Sequence, residues 1–228
     1  MSLTPETAAR TQRSTLLLVA TNLLPLFGVL MLGWDVGALV ILYWSENLII
    51  GFYNILRMLT VGGVAGLFPS FFFLIHYGGF CAVHGFFIMN LLIQPEVEID
   101  MGGNWPFVLV FLELLYNVIS GVLATAPQAW IIAFIGLTIS HGYSFVTNFL
   151  LGGERETLTV QKLMSQPYKR IFILHIAVIA GGFGVLSLGQ PMVLLLALVV
   201  LKTTVDVVLH RREHRREDRR EHRGGTTT

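Results

Sequence analysis

The side chains with the most chemical potential in this sequence lie inside apolar runs. His76, His84, His141 and His175, with Glu46, Lys202 and Asp206, occur in segments otherwise built from Leu, Ile, Val and Phe. An ionisable group in hydrocarbon is costly, so each should face a protein interior or a wet cavity, and each marks a functional site by default. His76 and His84 fall in one run, eight residues apart, which is about 80° around a helix and roughly 12 Å along it. They share a broad face but cannot both hold one ion, so their partners must come from other helices. Imidazole with carboxylate suits zinc, iron or manganese. Imidazole alone, titrating near neutrality, suits a proton relay. The plainer alternative is a neutral imidazole hydrogen-bonded across helices. No His-Glu-x-x-His pattern is present, so the zinc-protease arrangement is excluded.

The elements that must carry these groups are membrane helices. Of 228 residues, 54% are hydrophobic and 13% charged, and the mean hydropathy is +0.70. A soluble domain carries about 25% charged residues, and a bilayer span takes roughly 20 apolar residues. The pattern predicts an all-α, polytopic membrane helix bundle. Cys81 is the only cysteine, which excludes an internal disulfide and argues against a cysteine-built metal site.

Residues 1–13 form a polar N-terminal segment, 14–210 the transmembrane domain and 211–228 a basic tail. The first span runs from Ser14 to Leu32, with Pro25 as a kink and Asn22 one turn earlier. It is too long for a signal-peptide core, and no small-residue cleavage site follows. The second, Val36 to Leu59, carries Glu46, Tyr53 and Arg57 close to one stripe, with Tyr43, Asn47 and Asn54 on the next. The third is Phe68 to Ile93, where Gly78, Gly79 and Gly85 admit a close neighbour. Pro106 to Ala126 carries Glu113, Tyr116, Asn117 and Ser120 on one face, and Gln128 to Leu151 aligns Thr138, His141, Ser144 and Asn148. Gly152 to Gln166 reads as a loop. Tyr168 to Leu188 holds His175, and a last span opens at Pro191 and sets Lys202, Asp206 and His210 at i, i+4 and i+8.

Positive charge near span ends belongs in the cytoplasm. Arg10 and Arg13, the group Arg155, Lys162, Lys169 and Arg170, and the arginine-rich tail satisfy this together only with an even number of crossings. Seven apolar segments are present, and Pro106 to Ala126 is the weakest, with a polar face and a proline at each end. Six crossings plus one interfacial or re-entrant helix then place both termini in the cytoplasm and the acidic Gln94–Asp100 loop outside. Seven full crossings is the alternative. At 1.5 Å per residue, His76, His141, His175 and Asp206 fall between the bilayer centre and its cytoplasmic edge. Glu46 and Lys202 come nearer the centre, His84 slightly beyond it, and His210 at the edge. This common depth predicts that His76, His141 and His175 converge with Glu46 or Asp206, and a divalent metal is the candidate occupant. Glu46, His76, His141 and Asp206 are the candidate catalytic groups, and His84, Asn54, Asn148, Lys202 and His210 further polar members. Lys202 and Asp206 are expected to neutralise each other.

Seven tail arginines interrupted by four acids suit anionic lipid alongside a membrane-surface helix, and no nucleic acid is expected as a partner. Ser144 invites comparison with intramembrane serine proteases of the rhomboid type, but their Gly-x-Ser-Gly/Ala turn is absent, since Phe145 follows Ser144. Tyr43-Trp-Ser-Glu-Asn47, His76-Tyr-Gly-Gly-Phe80, His84-Gly-Phe-Phe87, Ser140-His-Gly-Tyr-Ser-Phe-Val-Thr-Asn148, Pro167-Tyr-Lys-Arg170 and Lys202-x3-Asp206-x3-His210 together resemble a family of bacterial multi-pass membrane proteins of unknown function. The resemblance covers nearly the whole chain and implies a bacterial inner-membrane protein, but supplies no activity. The residues leave three readings: a membrane-embedded enzyme, with or without a metal, acting on a lipid-soluble substrate or a membrane protein from the cytoplasmic half; a small proton- or metal-ion transporter; or a structural or assembly factor.

Overall fold

The computed structural model describes residues 23, 26–92, 99–190, 192–201, 203, 204 and 207. Most of the first span, with Asn22 and Pro25, lies outside the described residues, as do Lys202, Asp206, His210 and the tail. The chain divides into two compact units. In the first, comprising residues 1–34 and 196–228, residues 26–32 are helical and the Trp34 amide donates to the Gly28 carbonyl at 3.1 Å.

The second unit, Asp35–Leu195, contains the described site residues. Asp35 caps its first helix, α1 (Val36–Gly62), its Oδ1 accepting from the Ala38 amide at 2.6 Å. Gly63, at φ 52°, ends α1 and turns the chain through Gly63–Gly66 into α2 (Leu67–Leu92). The two helices fold back on one another. Gly66 packs on the Met58 carbonyl, Gly51 on Tyr77 and Gly85 on Trp44, while Trp44 Nε1 donates to the Cys81 carbonyl at 2.8 Å. A methyl group on Gly85 would lie 2.6 Å from Trp44 and 2.7 Å from Val118, so three helices meet only because that residue is glycine.

Residues 99–105 run beside the next helix in the opposite direction. Ile99 lies against Gly121, the Asp100 carbonyl accepts from Asn117 Nδ2 at 3.0 Å, and the 103–105 backbone reaches Glu113. Pro106 then starts a short 3₁₀ turn, Phe107–Leu109, leading into α3 (Val110–Thr125). Phe107 takes φ 50°, a strained conformation for a residue with a Cβ, and is 94% exposed. α3 begins midway along α2, with Phe111 against Gly79, and runs parallel to it, with Val118 near Gly85 and Met89 near Gly121.

After Pro127, α4 (Gln128–Ser144) passes into a π-helical segment, Phe145–Leu151. It runs in the direction of α1, Tyr53 meeting Thr138 and Arg57 meeting Phe149. The segment expected as a loop, Gly152 to Gln166, instead forms two short helices, α5 (Glu154–Thr157) and α6 (Val160–Ser165). Thr159 caps α6, and Leu163 sinks fully into a core with Met58, Phe73, Tyr77, Cys81 and Ile171. That burial offsets the weak propensity of so short a helix. α7 (Tyr168–Leu188) runs parallel to α2, Tyr168 meeting His76, His175 meeting His84 and Gly182 lying against Leu91. A shorter apolar helix, Met192–Leu201, follows; Gly181 receives Leu194 and Gly184 receives Val193.

No strand occurs among the described residues. Among the described residues four helical stretches are long and apolar enough to cross a membrane: Val36–Leu91, Phe107–Thr125, Gln128–Leu151 and Val160–Leu188. The first contains the folded-back pair α1 and α2. Large apolar side chains such as Phe52, Phe72, Phe87, Ile132, Phe172 and Phe183 are exposed. A surface of that kind requires an apolar surrounding.

Candidate functional site

The polar groups inside the helices assemble as separate partnerships. Glu46 on α1 meets Arg170 in the first turn of α7, Oε2 to Nη2 at 2.9 Å, and its other oxygen lies 3.8 Å from His141 Nε2 on α4. The second contact is too long for a hydrogen bond and is an ion pair only when the imidazole is protonated. Beside them Tyr53 donates to the Thr138 carbonyl at 3.0 Å and its ring stacks on His141. Asn54 donates to the Leu163 carbonyl at 3.0 Å, tying α1 to α6. Tyr53, Asn54, His141 and Arg170 border a pocket of about 230 Å³, lined also by Ile50, Arg57, Gln166 and Pro167.

The other histidines line a different space. His84 Nε2 and His175 Nδ1 are 2.8 Å apart, and His84 Nδ1 also contacts the Phe80 carbonyl. A carbonyl only accepts, so His84 Nδ1 carries a proton. In a neutral ring its Nε2 is then a bare acceptor, and His175 Nδ1–H must be the donor. His175 is left with a bare Nε2 lone pair. Two turns nearer the α1–α2 turn, His76 Nδ1 bonds the Tyr168 hydroxyl at 2.8 Å and its ring stacks on Phe72. His76, His84 and His175 border a chamber of about 460 Å³ whose other walls are apolar, with Phe68, Phe71 and Phe72 on α2, and Val108 and Phe111 entering from the start of α3. His84 is buried, whereas His76 and His175 are exposed, their surroundings being the chamber and its apolar rim.

His76, His141 and His175, expected on one site, are thus shared among three partnerships: His76 with Tyr168, His175 with His84, and His141 with Glu46. Among the described residues no group of three or more His, Cys, Asp or Glu side chains is placed to hold a metal ion, and metal binding at this triplet has no geometric support. The reason is azimuth. Similar depth does not bring side chains together when their helices turn them towards different neighbours. Asp206, the fourth expected ligand, and Lys202 and His210 lie outside the described residues. Asn54 acts as a helix tie, and Asn148 bonds Ser144 Oγ at 3.1 Å on an exposed face of the π-helical segment.

Several contributors were not assigned to a site from the sequence. Arg170, read there as a marker of sidedness and as part of the Pro167–Arg170 motif, is the ion-pair partner of Glu46, and Tyr168 of the same motif partners His76. Glu113, assigned to a polar face, is buried and accepts four hydrogen bonds: from the Gly103, Asn104 and Trp105 amides and from Asn104 Nδ2, at 2.9, 3.1, 3.1 and 2.7 Å. Gly102 and Gly103, at φ 83° and 125°, allow the backbone to wrap this carboxylate.

A family model covers this arrangement almost end to end. The chain belongs to the family of unknown function DUF6498, whose model matches residues 4–223. No curated protein and no solved structure matches it.

Proposed function

We propose, taking a membrane-embedded member of DUF6498 as the premise, that this protein binds a lipid-soluble molecule in the histidine-bearing chamber and acts on its polar end. The observation that carries the reading is the chamber itself. It offers about 460 Å³, within the range of small-molecule sites, and among the described residues its only titratable lining groups are three imidazoles. The apolar walls suit an acyl or isoprenoid chain. The bare Nε2 of His175, held by His84, suits an acceptor for a proton on the bound molecule, and His76 with Tyr168 supplies a second donor–acceptor pair. The reaction class is proton transfer within a membrane-embedded enzyme, with His175 as base and His84 as its orienting partner. The direct His84–His175 contact also favours a second reading, a proton-conducting transporter, because a bonded imidazole pair can pass a proton along.

The membrane arrangement belongs to the same proposal. Residues 99–125 descend as an extended segment and return as α3, entering and leaving on one side as a re-entrant element. This is supported by the contacts of Ile99 with Gly121, of Glu113 with residues 103–105, and of Phe111 with Gly79. Non-helical backbone at membrane depth is tolerated where its polar groups are satisfied, as the Glu113 carboxylate does here. Because α3 starts only halfway along α2, the chamber is the space left beneath it. With α3 re-entrant, the proposed arrangement is six crossings in a bacterial inner membrane, with both termini, Arg57 and Arg170 on the cytoplasmic side by the positive-inside rule.

Extraction of the purified protein with organic solvent, followed by mass spectrometry, tests the reading. Wild-type protein should carry a lipid-soluble molecule in a fixed ratio, and Val83→Phe, which fills the chamber, should carry less than a tenth as much. Equal recovery from a folded Val83→Phe protein would reject it.

A further inference from the structure

The pocket beside the Glu46–Arg170 pair has a composition that the chamber reading leaves unused. Its described lining residues include two guanidinium groups, Arg57 and Arg170, the His141 imidazole and the Gln166 amide, and no carboxylate. Glu46 reaches Arg170 from beyond that lining, its Oε2 2.9 Å from one Nη of the guanidinium. Arg57 lies over the Phe149 ring at 5.3 Å, which orients its charge without neutralising it. Its Nε is shielded from solvent and has no hydrogen-bond partner among the described residues. A buried polar hydrogen left unpaired is costly, and the residue that carries it lines the polar pocket. Tyr53 adds no donor, because its hydroxyl proton is committed to the Thr138 carbonyl. Gln166, Pro167 and Arg170 bring the start of α7 to the same space. The first turn of this 21-residue helix adds the positive end of its dipole.

We propose that this pocket binds a phosphate-type oxyanion. Two planar forks match a tetrahedral group with several acceptor oxygens better than a single carboxylate, and about 230 Å³ holds a phosphate with a few attached atoms. Gln166 and His141 complete the donor set. The anion comes either free from solution or as the headgroup of a phospholipid, since the pocket sits at the end of the bundle where the α1–α2 turn and α6 lie. The assignment stands apart from the chamber reading: the two spaces share no lining residue.

The test uses the full chain purified in maltoside micelles, which contain no phosphorus. Binding of labelled inorganic phosphate and of dioleoyl phosphatidic acid in mixed micelles is measured at constant ionic strength. At least one of the two should bind saturably. Arg57→Gln should weaken it by about tenfold or more, the worth of a charge-assisted contact, and Arg57→Lys should bind with intermediate affinity. Saturable binding of phosphate itself assigns the free anion; binding of phosphatidic acid alone assigns the headgroup. If Arg57→Gln loses its helical circular dichroism, Gln166→Ala carries the same test, with an expected loss of about threefold. Absence of saturable binding for both probes, or folded variants that bind like wild type, would overturn the proposal.

Discussion

Breaking the Glu46–Arg170 pair is the most quantitative perturbation of the polar pocket. The contact is 2.9 Å, with Glu46 16% and Arg170 43% exposed. At an effective dielectric constant of about 20, two unit charges at that distance attract by roughly 6 kcal/mol. Little of this survives as net stability. Glu46 loses hydration when it packs, and Arg170 is screened over nearly half its surface. Exposed pairs contribute about 0–1 kcal/mol, and loss of one partner from a buried pair costs about 3–5 kcal/mol. A half-buried pair lies between these limits, and the expected coupling is about 1–2 kcal/mol. The assay is a double-mutant cycle of Glu46→Gln and Arg170→Gln, read from reversible denaturant unfolding in mixed micelles. The double change should cost less than the sum of the single ones by that coupling. Additivity within about 0.3 kcal/mol would refute the argument and leave the pair without energetic weight.

Two further outcomes follow from the segment between α2 and α4. Glu113→Gln removes the charge from a carboxylate that accepts four hydrogen bonds and should destabilise the fold by about 1.5–3 kcal/mol, measured by the same unfolding; a loss below about 0.5 kcal/mol would mean that the loop holds without it. Cysteines introduced at Glu98 and at Gln128 should react with a membrane-impermeant reagent from the same, external side, whereas labelling from opposite sides would require α3 to cross and the chain to span seven times.

The fold was legible in the sequence where hydrophobic length and prolines speak alone. Val36 begins α1 after the Asp35 cap, Tyr168–Leu188 matches its apolar run, and Pro106 and Pro127 bracket α3. The short helices α5 and α6 were not, because their stability comes from burying Leu163 against residues distant in sequence. For the site, sequence supplied only the position of each group along its helix. That was enough to say that Glu46 needs a partner but not that Arg170 provides it. It also grouped His76, His141 and His175 by depth, although helix rotation turns them to Tyr168, Glu46 and His84. The bond between His84 and His175 depends on α2 and α7 running parallel at close range, a long-range fact that local spacing does not encode.

The central claim is that the chamber beneath α3 holds a lipid-soluble molecule against the imidazoles. It is tested most directly by photocrosslinking the protein in vesicles that contain a fatty acid with a photoreactive group at its chain end, then mapping the labelled residues. The account predicts labelling concentrated on the chamber walls, Phe68 to His84 and Val108 to Phe111, and abolished by Val83→Phe. Labelling spread over all exposed apolar faces, with Ile132 and Phe183 marked as strongly as Phe72 and Phe111 and no response to Val83→Phe, would contradict it.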